Sequence, residues 1–298
     1  MGINVNFSDW RNEKLLHINN YISDSILSRT ETPDPLKKAM LYATQGGGKR
    51  IRPLLTMATG EILDIQPEVL VPLACSVELI HAYSLVHDDL PGIDNDNFRR
   101  GRPSLHKAFD EGLAIITGDA LQSLAYQCLI QIQPYTTETE LILDALEIIL
   151  SSAGPEGMVG GQSLDLYNQH DLNEQDLMNM YRMKTGLLIE SSVELPCIFA
   201  KNFDLEKKAL LNCGKALGKM FQLRDDLMEL TDDAASLGKP VDSDIKNGKR
   251  TYPAVFGLSK CKERLLAIHN YIDDQLKTTG LQSSSFASII NSLKLDLS

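Results

Sequence analysis

The chain has 298 residues, 43% of them hydrophobic, enough to bury a sizeable core. A net charge of −11 argues against a nucleic-acid partner, which usually meets a basic face. No run of about 18 uncharged apolar residues occurs, so no membrane span is expected. The polar N-terminus lacks the apolar stretch of a secretory signal, and Met1-Gly2 lacks the Ser or Thr that myristoylation needs at position 6, which is Asn6. Cys75, Cys128, Cys197, Cys213 and Cys261 are scattered, with no CxxC pair, and read as reduced, mostly buried thiols of a cytoplasmic protein.

In chain order, Asp34-Pro35 predicts an N-cap followed by proline at the first helical position. Gln45-Gly46-Gly47-Gly48-Lys49-Arg50 is a Gly-rich turn between two helices. The spacing predicts a helix over 69–90, whose most apolar part is interrupted by Glu78 and His81 and which Pro91-Gly92 stops just past Asp89. Further helices are expected over 113–132 and 137–153, then a break at Gly154-Pro155-Glu156-Gly157, then a helix over 175–199. Leu210, Cys213, Leu217, Met220, Phe221 and Leu227 fall at steps of three and four across 205–230, with Asp204 as N-cap. The Gly/Lys/Asp-rich stretch 237–250 reads as a mobile loop. There is no alternating strand, internal repeat or long linker. The expectation is an all-α chain forming one domain over 1–298.

Two acidic clusters stand out. The first is Asp88-Asp89-Leu90-Pro91-Gly92-Ile93-Asp94, followed by Arg99-Arg100. Its leading pair sits at a predicted helix C-terminus, where the helix dipole disfavours anions, so a bound cation would remove a conflict. A solvated acidic loop is the ordinary alternative. An EF-hand starting at Asp94 fails at Phe98 and at Arg99, where glycine is needed. The second cluster is Gln222, Asp225, Asp226 and Glu229. Asp225 and Glu229 share a helix face, and Gln222 lies on the same stripe. Hard oxygen ligands with open coordination positions suit Mg²⁺ carrying a substrate phosphate.

Cations gather at turns or beside these polar strips: Lys49, Arg52, Arg99, Arg100, Lys184, Lys239 and Lys249. The Gly-rich turn is not a P-loop, because Ala43 replaces its first glycine and Arg50 its Ser/Thr, yet its backbone could approach an anion. His81 lies two turns before Asp88 on the same face. Singly, each of these is more often a surface or core residue than a ligand.

Their order is more specific. Gly47-Gly48-Lys49-Arg50-x-Arg52-Pro53, His81, Asp88-Asp89-x4-Asp94, Arg99-Arg100-Gly101, Gly160-Gly161-Gln162, Lys184-Thr185-Gly186 and Phe221-Gln222-x2-Asp225-Asp226 resemble the trans-isoprenyl diphosphate synthases from about 35 to 258. Leu85 to Pro91 and Lys249-x-Thr251-Tyr252-Pro253 look like the bacterial farnesyl/geranylgeranyl branch. The resemblance implies a bundle of long helices around a central cavity, a homodimer, and three Mg²⁺ ions with Mn²⁺ as a substitute. It implies that Asp88, Asp89 and Asp94 bind Mg²⁺ carrying the allylic diphosphate, and that Asp225, with Asp226 and Glu229, binds a further ion. Arg99, Lys184 and Lys239 would contact that diphosphate. Lys49, Arg52, His81 and Arg100 would hold isopentenyl diphosphate without metal, and Lys249 would add to the substrate-binding set. Thr185 and Gln222 would face a developing carbocation.

The implied reaction joins dimethylallyl or geranyl diphosphate to isopentenyl diphosphate. Tyr83, five residues before Asp88 and so about 7.5 Å deeper along the helix, would with Ser84 form the pocket floor and stop the product at C15. Geranylgeranyl or geranyl diphosphate output is the alternative within this chemistry. A weakly catalytic or non-catalytic prenyl-diphosphate-binding subunit, and a terpene cyclase, are alternatives outside it. Two departures from the family pattern stand out. Glu229 replaces the usual third aspartate of the second motif, and Val241 precedes Asp242 where glycine is commoner, which puts Lys239 in doubt.

Overall fold

The computed structural model describes residues 6–167, 173–231 and 251–295. The stretch 237–250, with Lys239 and Lys249, lies outside the described residues. The chain groups into two compact units: Met1–Leu146 with Leu195–Ala200, and Glu147–Glu194 with Lys201–Ser298.

The first unit begins with α1 (Phe7–Leu27), whose Asn6 side chain caps it by accepting from Ser8 N. α2 (Asp34–Thr44) has Pro33 as N-cap, so Asp34 stands inside the first turn and Pro35 one position later than expected. Either position spares a helix the N–H that proline lacks. After the Gly-rich turn, α3 (Ile51–Ile62) and α4 (Pro67–Asp88) pack closely. α4 is buried on nearly every side, Leu70, Leu73, Leu79 and Ile80 almost completely. Each such side chain contributes roughly 1.5–3 kcal/mol. That all-round burial is why its sequence shows an apolar run and no clear stripe.

α4 ends with Asp88 as its last residue and Asp89 as C-cap. A two-stranded hairpin that the sequence did not announce follows: β1 (Phe98–Arg99) pairs antiparallel with β2 (Arg102–Pro103). Arg100 and Gly101 make its turn with φ of 53° and 74°. Positive φ at both central positions matches the twist of a two-residue hairpin. A short α5 (Leu105–Ala108) leads to α6 (Glu111–Ile130), capped by Asp110 Oδ1 accepting from Leu113 N at 2.8 Å. α6 packs mainly on α4.

α7 (Thr139–Ala153) and α10 (Leu187–Phe199) each have residues in both units. The second unit holds α8 (Met158–Tyr167), α9 (Glu174–Tyr181), α11 (Asp204–Thr231), α12 (Tyr252–Phe256), α13 (Leu258–Thr278) and α14 (Ser285–Leu293). The helix expected over 175–199 is present from Glu174 to Phe199, with an irregular segment inside it. Arg182–Gly186 forms a π-helical turn between α9 and α10. Such a turn widens the hydrogen-bond ladder by one residue and is common at functional sites. Asp204 is the first residue of α11 and not its cap.

All five cysteines are free and buried. Among the described residues, two helices, Pro67–Asp88 and Glu111–Tyr135, are by length and composition apolar enough to cross a membrane. In the first, 78% of the apolar window is buried against protein, the position of a core helix.

Candidate active site

In the first unit, Pro91-Gly92 turns the chain back after α4, and Asp94 N donates to Asp88 O at 2.9 Å. This closes the first acidic motif into a compact turn. Asp89 is 3% exposed, and Arg99 grips it: Nε lies 2.9 and 3.2 Å from its two oxygens, and Nη2 also bonds it. Asp96 accepts from the same Arg99 Nη2 at 3.2 Å. Burial works against the Arg99 charge, but Asp89, Asp96 and Asp88 outweigh it and hold its pKa above the usual value.

The hairpin places the adjacent Arg100 against a different partner. Its guanidinium donates to Gly47 O in the Gly-rich turn. Gly48 stands at φ 107°, which L side chains rarely adopt, and a Cβ there would push that guanidinium aside. Burial, and the nearby Arg50 and Arg99 charges against the opposing pull of Glu78, lower the Arg100 pKa. His81 faces the same group. Burial, then Arg52, Arg100, Arg50 and Arg99, hold its pKa well below the ordinary 6.5 and keep the ring neutral. The unit therefore gathers Arg52, His81 and Arg100, with Lys49 exposed on the same turn. Crowded, partly desolvated cations of this kind favour an incoming anion.

Arg50 has another task. It sits at φ 52° as the cap residue of α3, donates to Thr44 O and pairs with Glu78 of α4. Arg50 is 6% and Glu78 1% exposed. Glu78, which reads in the sequence only as a flaw in an apolar run, is thus the counter-charge that fixes the Gly-rich turn on α4. Tyr83 is 5% exposed and meets His87 edge-on, ring centroids 5.8 Å apart. Burial pushes its phenol up to about 12. Ser84 donates to His81 O at 2.9 Å.

In the second unit, the π-helical turn presents Lys184 and Thr185. A Cβ on Gly161 of α8 would collide with the Lys184 backbone and one on Gly160 with Pro155 O, which together account for the Gly160-Gly161 pair. Lys184 Nζ pairs with Asp165 Oδ2 at 2.5 Å. Asp165 escaped sequence selection as a single acid, though it lies one helical turn after Gln162. Thr185 Oγ1 donates to Gln222 Oε1 at 3.1 Å, and Gln222 Nε2 donates to Asp226 Oδ1 at 3.0 Å. Gln222 therefore bonds the residue four positions on, not Asp225. Asp225 takes Arg224 Nη1 at 3.2 Å, and Arg224 Nε donates to Leu293 O at 2.9 Å. Asp226, 3% exposed, also accepts from Tyr181 Oη at 2.5 Å and Tyr252 N at 2.9 Å. Glu229 is partly exposed on the same helix.

Among the described residues, no three carboxylate, imidazole or thiolate side chains converge to hold an ion unaided. The donor set nevertheless fits Mg²⁺, which binds through one or two carboxylates and completes its shell with water and substrate phosphates.

An all-α chain with an acidic turn beside a separate cationic seat defines a protein built to handle anionic, metal-borne groups such as diphosphates. The comparisons sharpen this class. The polyprenyl synthetase family model matches residues 33–285, and the chain belongs to that family. It is 41% identical to a farnesyl diphosphate synthase of Geobacillus stearothermophilus over 240 residues, 80% of this chain and 81% of that one. Its fold is similar to that of a geranyltransferase from Legionella pneumophila, with TM-score 0.86, 30% identity and 96% of each chain covered. A geranyltransferase from Helicobacter pylori, solved with magnesium and isoprenyl diphosphate, has TM-score 0.79 and 26% identity over 98% of each chain.

Proposed function

We propose that this chain is a Mg²⁺-dependent prenyltransferase that condenses dimethylallyl or geranyl diphosphate with isopentenyl diphosphate and releases farnesyl diphosphate. The observation that carries this reading is the split between neighbours Arg99 and Arg100. One is committed to the acidic turn, the other to the Gly-rich turn beside His81 and Arg52. Two anion seats of different character, one acidic and metal-type, one dominated by cations, suit two diphosphate substrates. A cyclase would need only the first.

The roles follow from the chemistry. Asp88, Asp89 and Asp94 hold Mg²⁺ against the allylic diphosphate, with Arg99, Lys184 and Lys239 on its oxygens. Asp225 and Glu229 supply a second metal set, and three ions in all, replaceable by Mn²⁺, complete the site. Bound Mg²⁺ supplies charge stabilisation for the leaving diphosphate. Lys49, Arg52, His81 and Arg100 hold isopentenyl diphosphate, Lys249 assisting. Carbon–oxygen cleavage leaves an allylic cation, whose charge Thr185 and Gln222 oxygens face. The alkene of isopentenyl diphosphate attacks it, a carbon–carbon bond forms, and the C2 proton passes to the departed diphosphate. Apolar walls keep water from the cation.

The two compact units act as one prenyltransferase domain in this proposal. The active form in this proposal is a cytoplasmic homodimer, and the exposed Ile115, Ile116 and Ile130 of α6 and Leu143 of α7 are among the apolar side chains a second copy could cover. Asp88→Ala tests the assignment: diphosphate release should fall by about 10²–10³-fold or more while far-ultraviolet circular dichroism stays unchanged. Unchanged turnover in that variant would overturn it.

A further inference from the structure

Two side chains outside the proposed substrate-binding set are joined across the π-helical turn. Arg182, its first residue, donates through Nε to Glu190 Oε1 and through Nη2 to Glu190 Oε2, both at 2.9 Å. The contact is bidentate, the geometry in which a guanidinium fork and a carboxylate match. Glu190 is 8% exposed, so its charge needs that partner. Arg182 reaches it from the rim, with 40% of its own side chain exposed.

The two residues are eight apart in sequence. In an unbroken α-helix, at about 100° per residue, such residues point roughly 80° apart around the axis. Here the Leu187 N–H donates to Arg182 O, a step of five residues in place of the α-helical four. The added residue turns the pair back to the phase of positions seven apart, about 20° from alignment and about 10 Å along the axis. An extended arginine and glutamate together span that distance. The ion pair therefore fits the widened turn and misfits a regular helix.

That turn carries Lys184, which pairs with Asp165, and Thr185, which donates to Gln222 Oε1. α8 and α11 press on it: a Cβ on Gly161 would collide with the Lys184 backbone, and a Cβ on Gly218 of α11 would come 2.9 Å from Gly186 O. These contacts limit how far the turn can move, and the Arg182–Glu190 pair spans it from end to end. We infer that Arg182 and Glu190 are positioning residues for the condensation: their ion pair staples the π-helical turn in its widened register and so aims Lys184 and Thr185. The inference rests on the proposed function for what those two side chains meet; the staple itself does not.

The test uses the full chain and reads three quantities: hydrogen exchange of the metal-free protein across 182–190, the melting temperature, and steady-state kinetics with dimethylallyl and isopentenyl diphosphates and Mg²⁺. Glu190→Gln should speed exchange across the turn on the order of tenfold and lower kcat roughly ten- to hundredfold. KM for isopentenyl diphosphate should stay within about twofold, because the residues proposed to hold it belong to the first unit. Replacing both partners, Arg182→Leu with Glu190→Leu, leaves no buried charge unpaired. That double variant should match the wild-type melting temperature within about 2 °C, while its exchange stays fast and its kcat low. Recovery of kcat in the double variant would reduce the pair to a stability role and overturn the inference. So would faster exchange or slower turnover in Glu190→Gln appearing without the other. A wild-type chain that does not consume the two diphosphates would fail the proposed function, while exchange in the metal-free variants would still decide whether the staple exists.

Discussion

Asp89 and Arg99 hold one another in a two-point grip at the end of α4, and Asp226 is held as firmly by Tyr181 and Tyr252. Single side chains set the chemistry here, and the acid and cation types were legible in the sequence because their spacing relative to turns is unusual. What the sequence did not reveal is partnership. Asp165 and Tyr181 are unremarkable letters until folding brings them to Lys184 and Asp226. Gln222 shares a stripe with Asp225, yet its amide bonds Asp226, one helical turn on. Tyr83 makes a prediction at this scale. It is buried in α4 one turn above the acidic pair, so Tyr83→Ala should lengthen the dominant product beyond C15. Chromatography of the dephosphorylated products checks this, and an unchanged C15 product would place the floor elsewhere.

The helices themselves were readable from periodicity and breakers. α4, α6, α7 and α11 lie within about two residues of the expected bounds, the usual fraying of helix ends. The hairpin at Phe98–Pro103 was invisible, because two-residue strands carry no alternation and Arg-Gly is not a strong turn pair. The π-helical turn at Arg182–Gly186 was equally hidden, since one extra residue in a turn hardly disturbs an apolar pattern. Both irregular pieces carry proposed site residues, which fits the rule that local sequence signals fail where function imposes a shape. At this scale the Arg50–Glu78 pair is decisive, fastening the Gly-rich turn to α4. Glu78→Ala leaves a buried guanidinium unpaired and should cost about 3–5 kcal/mol of stability. Urea unfolding measures it, and a loss near zero would show that the pair does not hold the turn.

For the whole molecule, the all-α class followed from the sequence, whereas the division into two compact units did not, because no linker marks it. Global stability should depend on pH through histidines kept neutral by burial. His81, His106 and His269 all have pKa values lowered by burial first, with neighbouring cations adding to it. The unfolded chain binds protons at these rings near pH 6.5 while the folded chain does not, so stability falls as pH drops below that value. The slope is at most about 1.4 kcal/mol per pH unit for each ring. Denaturant titrations at pH 5, 6 and 7 should show this fall, and His81→Gln should flatten it. A slope that His81→Gln leaves unchanged would remove His81 from the explanation.

The central claim is chain elongation from two diphosphates, and one measurement meets it directly. The purified full chain is incubated with dimethylallyl and isopentenyl diphosphates and Mg²⁺, and the prenyl products are separated by length. The account predicts farnesyl diphosphate as the main product, with one diphosphate released per isopentenyl unit consumed and none when Mg²⁺ is chelated. Release of diphosphate without consumption of isopentenyl diphosphate, or no turnover at all, would contradict it.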